Sequence, residues 1–226
     1  MTQQLESTEP RSDALRVVIV DDHDLFRTGL RNLLEEQGIQ VVGEAAAGND
    51  AVRSVRELAP DVVVMDLNMP GMTGVEATRQ ITSIAPLTRV LVLTISDQDS
   101  DVLDAILAGA CGYLLKDSSI QDLMAGIRAA SIGESLISPT IASKVLQRVR
   151  STSSVPAIAE TIRAELSDRE IEVLKLIANG KDNAMIAGEL HISPKTVKNH
   201  ISNILMKLQI DNRIQAAVYA VKSGIV

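Results

Sequence analysis

Charged and hydroxyl side chains stand at the ends of four apolar runs in this sequence. Asp21 and Asp22 follow one run, Asp66 follows a second, and Thr94 and Lys116 close two others. Continuous apolar strands are typical of a parallel sheet covered by helices on both faces, and ligands bind outside the carboxyl ends of such strands. We therefore expect these side chains to meet in one pocket. Crowded carboxylates repel one another, and a hard divalent cation such as Mg2+ relieves that repulsion, which leaves one carboxylate free to act as a nucleophile.

Residues 16 to about 132 resemble the receiver domain of two-component response regulators. The resemblance is carried by the acid pair, by the segment 66–71 (Asp-Leu-Asn-Met-Pro-Gly), by Thr94 and by the segment 112–116 (Gly-Tyr-Leu-Leu-Lys). It implies a phosphorylatable domain that takes a phosphoryl group from a cognate histidine kinase in the presence of Mg2+.

The resemblance also implies a role for each matching residue. Asp66 would be the phosphoacceptor, Lys116 and Thr94 would bind phosphoryl oxygens, and Tyr113 would change its rotamer on phosphorylation. The implied Mg2+ ligands are Asp21, Asp22, Asp66 and the backbone carbonyl of Asn68. His23 follows the acid pair, and we interpret it as a surface histidine without a role.

Strands and helices alternate through this part of the chain. Strands are predicted near 16–21 and 39–44, and an amphipathic stretch between them carries Leu25, Leu30, Leu33 and Leu34 at helical spacing. Further helical stretches near 49–58, 74–84, 99–108 and 119–132 separate the remaining strands. Five such βα units predict a doubly wound, five-stranded parallel sheet in the order 2-1-3-4-5, which would bring Asp22 close to Asp66. Ser118 with Gln121 fits a capping box for the last helix.

The charge of the chain is divided unevenly. Residues 1–135 contain 10 Lys/Arg and 21 Asp/Glu, while residues 136–226 contain 12 and 8, so the two parts carry −11 and +4 and sum to −7. A basic module inside an acidic protein is the asymmetry expected if only the second part meets nucleic acid.

Four segments are predicted from these patterns. They are a disordered tail at 1–14, a receiver domain at 15–135, a linker at 136–165 that could form a short helix over 139–149, and a second domain at 166–226. Neither a signal peptide nor an apolar run of roughly 18 residues is present, so we expect a cytoplasmic protein that does not bind membranes. Cys111 is expected to be a small buried residue.

The second domain carries the signals of a helix-turn-helix. Ser167 and Glu170 predict a capping box for a helix to about Asn179, and Gly180 can end that helix in a left-handed conformation. A second helix is predicted at about 182–190. Ser193 then supplies an N-cap, with proline at the first position of a third helix at about 194–208.

The third helix divides into two faces at about 100° per residue. The apolar arc contains Val197, Ile201, Ile204, Leu205 and Leu208, and the opposite arc contains Lys195, Lys198, Asn199, Ser202 and Met206. The helix has no acidic residue. Lysine can reach guanine and asparagine can pair with adenine in the major groove, so this face suits DNA recognition.

Residues 166–226 resemble the LuxR-type DNA-binding domain that NarL/FixJ-class response regulators carry. The matching segments are 166–174, 183–187 and 196–200. The resemblance implies that Lys198, Asn199 and Ser202 face bases, that Lys195, Thr196 and Lys207 are candidates for phosphate contacts, and that a last helix at about 211–223 mediates dimerisation. Double-stranded DNA, a second copy of the chain and RNA polymerase are the implied partners.

The two resemblances together predict a transcription factor, and not an enzyme, in which phosphorylation of Asp66 controls dimerisation and DNA binding. Two alternatives remain open: a DNA-binding regulator that works without phosphorylation, and an aspartyl-phosphate phosphotransferase. The phosphotransferase is disfavoured because Asn68 stands two residues after Asp66, where such enzymes carry an acidic residue.

Overall fold

A five-stranded parallel sheet forms the first domain, in the order β2-β1-β3-β4-β5. The computed structural model describes residues 14–96, 98–135 and 166–226. The strands are β1 (Arg16–Val20), β2 (Gln40–Ala45), β3 (Val62–Met65), β4 (Arg89–Thr94) and β5 (Gly112–Leu115). This order confirms the predicted fold. The predicted tail, apart from residue 14, and the linker 136–165 with its short helix lie outside the described residues.

Helices cover both faces of this sheet. They are α1 (Asp24–Glu36), α2 (Gly48–Leu58), α3 (Gly74–Ile84), α4 (Asp99–Leu107) and α5 (Ile120–Ser131). Leu34 of α1 and Ile127 of α5 are fully buried against one face, and Val55 of α2 and Ile81 of α3 against the other. The central strand β3 is buried along its whole length, which explains its uninterrupted apolar sequence. Within the described ranges, no helix is both long and apolar enough to cross a bilayer.

The helices that follow β3 and β5 begin at capped serine or threonine residues. Thr73 forms a complete capping box with Glu76 at the start of α3. The cap of α5 lies one residue later than predicted, because Ser119 rather than Ser118 accepts the backbone N–H of Asp122. With helix positions counted from Ile120, Leu123 and Ile127 fall on the side that packs on the sheet.

The second domain contains four described helices, α6 (Asp168–Ala178), α7 (Asn183–Leu190), α8 (Pro194–Leu208) and α9 (Arg213–Lys222). The predicted capping box of Ser167 and Glu170 is present at α6. Gly180 has a φ of +76°, so the left-handed helix end that its sequence position predicts is also observed. The apolar core of this domain includes Val173, Ile186 and Val197 from α6, α7 and α8.

The two domains contact each other through α4 and α9. Asn212, the N-cap of α9, donates from its side chain to the backbone oxygen of Ala110 at 3.0 Å, and Gln215 donates to the backbone oxygen of Ile106 at 3.0 Å. Both amide side chains are buried. A buried amide without a partner costs about 1–3 kcal/mol, so these bonds specify how α9 meets the C-terminal part of α4 and the loop that follows it.

The close approach of α3 to the end of β3 generates a prediction about stability. A Cβ atom on Gly74 would lie 2.0 Å from the backbone oxygen of Asp66 and 2.7 Å from the Cα of Leu67, so Gly74→Ala would force the backbone apart. We expect a loss of about 3 kcal/mol in the free energy of unfolding, measured with urea. Gly29→Ala is the matched control in α1, where nothing lies within 4 Å of the added atom. That change should stabilise the chain by about 0.5–1 kcal/mol, and equal effects of the two substitutions would contradict the packing described here.

Candidate functional site

The ends of β1, β3 and β5 bring the predicted acidic and basic residues into one pocket. Lys116 Nζ lies 2.6 Å from Asp21 Oδ2 and 2.8 Å from Asp66 Oδ2. Both carboxylates are 2% exposed. Parallel strands carry these residues out of the same edge of the sheet, and the neighbour relation of β1 and β3 sets Asp21 beside Asp66.

The ammonium of Lys116 is held in its charged form. Burial lowers the pKa of Lys116, but hydrogen bonds to Asp21 and Asp66 outweigh that effect, so its pKa is raised above the ordinary value. The ammonium also lies 4.6 Å from the centre of the Phe26 ring, a distance that allows a cation–π contact. The pocket therefore contains a permanent positive charge next to Asp66.

The other oxygen of the Asp66 carboxylate faces the backbone of the following loop. Asp66 Oδ1 accepts the N–H of Leu67 at 2.8 Å, with the N–H of Asn68 at 3.5 Å. Asn68 is exposed. Thr94 is fully buried at the end of β4, and its hydroxyl oxygen accepts the N–H of Ser96 at 3.4 Å.

Tyr113 connects the loop after β4 to the inside of the domain. Its ring is fully buried, and its hydroxyl donates to the backbone oxygen of Ser96 at 2.9 Å. The side chain of Ser96 in turn hydrogen-bonds to Asp101 of α4. Tyr113 also belongs to the apolar cluster that contains Ile106 of α4 and residues of α9. The position suits a residue that reports changes at Thr94, and the predicted change of rotamer stays a prediction.

The donor set of the pocket fits a divalent cation. Ligand atoms of Asp21, Asp22, His23 and Asp66 all lie within 4.8 Å of one another. In the described structure, the buried oxygen Asp22 Oδ1 accepts no hydrogen bond. Carboxylate and carbonyl oxygens are the ligands that Mg2+ prefers, and an unsatisfied buried carboxylate oxygen is what an ion would complete.

Two residues without a predicted role, His23 and Arg27, contact the acid pair. His23 Nδ1 lies 2.8 Å from Asp22 Oδ1. Arg27 donates from Nη1 to the backbone oxygen of Asp21 at 2.6 Å and from Nε to Glu44 at 3.1 Å, so it ties the loop after β1 to β2. Arg27 lies one helical turn after His23, and this spacing could have indicated that both residues face the acid pair. Its partner Glu44 lies on β2, in a different element, so the sequence did not identify this pair.

In the second domain, α8 presents the polar face that the helical angles predict. Lys195, Lys198, Asn199 and Ser202 are exposed, and Thr196 is half-buried. The hydroxyl of Thr196 lies 2.8 Å from that of Ser193, and its backbone N–H is capped by the same serine. The opposite face is buried at Val197, Ile204 and Leu208.

Two lysines of α8 have acidic partners. Lys198 Nζ lies 3.4 Å from Glu134 Oε1 of the first domain. Lys207 Nζ lies 2.7 Å from Oε2 of Glu170, whose side chain is 4% exposed. The same oxygen accepts the backbone N–H of Ser167 at 2.8 Å. Lys207 therefore has a structural partner inside its own domain, a contact that its predicted role at DNA phosphates does not include.

Comparisons with known proteins cover both domains. Residues 17–128 match the family model of the response regulator receiver domain, and residues 164–220 match that of bacterial regulatory proteins of the luxR family. The chain is 46% identical over 213 residues to the transcriptional regulatory protein LiaR of Bacillus subtilis, which covers 94% of this chain and 99% of LiaR.

Solved structures of similar proteins span the same length. The response regulator ChrA of a heme-sensing two-component system is 36% identical, with a TM-score of 0.52, over 94% of this chain and 99% of ChrA. A structure of RcsB dimers bound to DNA is 26% identical, with a TM-score of 0.54, over 93% of this chain and 99% of RcsB.

The ion pair of Lys207 and Glu170 generates a prediction about stability and pH. Burial raises the pKa of Glu170, but the hydrogen bonds from Lys207 and Ser167 outweigh it and lower the pKa below its ordinary value. Lys207→Met should therefore lower the free energy of unfolding at pH 7 by about 1–3 kcal/mol, measured with urea.

A carboxylate with a lowered pKa stabilises the fold above its ordinary pKa, and this stabilisation is lost as the pH falls through the folded-state value. The difference in the free energy of unfolding between wild type and Lys207→Met should therefore shrink as the pH drops below 4.5, the ordinary pKa of glutamate. Lys195→Met, an exposed lysine of the same helix, is the control and should change stability little. If this difference stays constant from pH 7 to a pH below 4.5, Lys207 does not stabilise the fold through the Glu170 carboxylate.

Proposed function

This chain belongs to the LuxR family of response regulators, which are transcription factors, and we propose that Asp66 is the phosphoacceptor that controls its activity. The carrying observation is the placement of the Asp66 carboxylate. It is buried at the end of β3, it lies 2.8 Å from the ammonium of Lys116, and it shares its pocket with the acid pair. A receiver domain implies a histidine kinase as partner, and the helix-turn-helix domain implies DNA.

The reaction requires a nucleophile and positive charge near the transferred group. The Asp66 carboxylate would attack phosphorus and displace the imidazole nitrogen of a phosphohistidine, which leaves an acyl phosphate on Asp66. Lys116 would neutralise a phosphoryl oxygen with little movement, because its ammonium already contacts Asp66 Oδ2. Asp21, Asp22, Asp66 and the carbonyl of Asn68 would hold Mg2+, which when bound supplies charge stabilisation for the phosphoryl oxygens.

Coupling to the second domain would run through the end of β4. A phosphoryl group on Asp66 adds negative charge and acceptor oxygens. The family resemblance assigns the Thr94 hydroxyl, at the end of β4, to one of these oxygens. Movement of Thr94 would change the position of Ser96, whose backbone oxygen accepts the hydroxyl of Tyr113 and whose side chain bonds to Asp101 of α4. Because α4 carries the contact with α9, a shift of α4 changes the support of α9.

Two contacts between the domains would control dimerisation and DNA binding: the contact of α4 with α9, and the ion pair of Lys198 with Glu134. The family resemblance assigns dimerisation to α9, and in this structure α9 packs on α4. Lys198 of the recognition helix faces Glu134 of the receiver domain. Release of these contacts on phosphorylation would free α9 for a second copy of the chain and Lys198 for DNA. RNA polymerase would then be recruited to the bound site.

Loss of the nucleophile tests the phosphoacceptor. Asp66→Asn should abolish labelling by acetyl phosphate in the presence of Mg2+, because an amide does not attack phosphorus. Labelling is measured by mass spectrometry of the intact chain. Asp50→Asn in α2 is the control, since Asp50 pairs with Arg53 on the surface and lies outside the pocket. Equal labelling of wild type and Asp66→Asn would place the phosphoacceptor elsewhere and favour a regulator that works without this site.

Removal of a recognition lysine tests the DNA-binding face. A base contact contributes about 1–3 kcal/mol of discrimination, so Lys198→Ala should lower the ratio of specific to non-specific affinity by about 5–150-fold. The specific DNA is selected by the wild-type protein from a random library, and affinity is measured by fluorescence anisotropy at fixed salt. Lys175→Ala, an exposed lysine of α6, removes the same charge outside α8. If both variants keep the wild-type ratio, Lys198 does not read bases.

A further inference from the structure

His23 presents a ring nitrogen to both carboxylates of the acid pair. Its Nδ1 lies 2.8 Å from Asp22 Oδ1 and 3.3 Å from Asp21 Oδ1. The backbone N–H of His23 donates to the same Asp21 oxygen at 2.9 Å, which holds the carboxylate towards the ring. His23 is the N-cap of α1, yet its side chain makes no capping hydrogen bond. The imidazole is therefore directed to the pocket and not to the helix.

The ring nitrogen lies at the spacing of a neighbouring ligand from each of the two carboxylate oxygens. Adjacent ligands of an octahedral ion at about 2.1 Å lie about 3.0 Å apart. The distances from His23 Nδ1 to Asp22 Oδ1 and Asp21 Oδ1, 2.8 and 3.3 Å, bracket that value. Asp22 Oδ1 is buried and accepts no hydrogen bond within the described structure, so this oxygen is available to an ion. The side chain of His23 is 68% exposed, which leaves room for the waters that such an ion keeps.

We propose that His23 is a direct nitrogen ligand of the ion in the acidic pocket, and that the pocket consequently prefers first-row transition-metal ions to Mg2+. Carboxylate and carbonyl oxygens suit Mg2+ and Mn2+ alike, whereas an imidazole nitrogen adds affinity only for ions with partly covalent bonding. The proposal rests on the proposed function in one respect, the identification of this pocket as the metal site. Mn2+ is the chosen probe because it binds most weakly in the transition series, so a preference for it is the most demanding test.

Pulsed electron paramagnetic resonance of Mn2+ bound to the full chain reads the ligand directly. An imidazole nitrogen on the ion modulates the electron spin echo at 14N frequencies, which oxygen ligands do not. The chain has three histidines, so each can be tested in turn. We expect the modulation in wild type, its loss in His23→Gln and its persistence in the double variant His191→Gln/His200→Gln, whose substitutions lie in the second domain.

Relative affinities supply a second readout from the same variants. Free Mn2+ is counted by its resonance signal, and Mg2+ is measured by competition. Removal of even an outer partner of a ligand lowers metal affinity about 10–100-fold, so the preference for Mn2+ over Mg2+ should fall at least about tenfold in His23→Gln. His23→Asn repeats the test with a shorter side chain, and a urea unfolding curve for each variant shows that it is folded.

Three results would overturn the proposal: no 14N modulation in wild type, modulation that survives in His23→Gln, or an unchanged Mn2+/Mg2+ preference in both His23 variants. The last result would mean that His23 forms only an ion pair with Asp22. Failure of the proposed function has a different signature, because labelling of Asp66 is scored in wild type with acetyl phosphate and Mg2+. If wild type shows the nitrogen signal but no label on Asp66, His23 is a metal ligand and Asp66 is not the phosphoacceptor.

Discussion

The contact of one ammonium with two buried carboxylates is the interaction on which the rest of this structure depends. Asp21 and Asp66 are almost fully buried, and charges that close repel strongly in a medium of low dielectric constant. Lys116 offsets that repulsion at 2.6 and 2.8 Å. The ammonium is held in turn by hydrogen bonds to both carboxylates, and these bonds raise its pKa above the ordinary value. The same contacts thus stabilise all three charged groups at the ends of β1, β3 and β5.

The packing around this pocket has little freedom. Gly74 brings the backbone of α3 against the carbonyl of Asp66, and Arg27 ties the loop of the acid pair to Glu44 on β2. A densely packed neighbourhood transmits a local shift instead of absorbing it. The hydrogen bonds of Ser96 with Tyr113 and Asp101 extend from the end of β4 to α4, and the buried amides of Asn212 and Gln215 continue from α4 to α9. These contacts join the loop after β4 to α4, and the C-terminal part of α4 and the loop after it to α9.

Two lysines of α8 pair with carboxylates in different surroundings. On α8, Lys207 pairs with the buried Glu170 that also caps α6, so its charge serves the fold. Lys198 meets only a partly exposed carboxylate of the other domain, and such a pair contributes little stability and is easily replaced. The two lysines therefore differ in their partners, because Glu170 is buried within the second domain and Glu134 is partly exposed on the first domain.

Local patterns in the sequence determined the elements and most of the pocket. Apolar runs that end in Asp21, Asp66, Thr94 and Lys116 predicted the sheet order and the convergence of these residues, since strand direction and helix period are local properties. The capping box at Ser167 and the two faces of α8 were predicted for the same reason. Tertiary structure alone decided which of two adjacent serines caps α5, that His23 turns towards the acid pair, and that Glu170 and Glu134 hold Lys207 and Lys198. Each of these depends on groups distant in sequence or on the competition between equivalent neighbours, and no local pattern specifies such a choice.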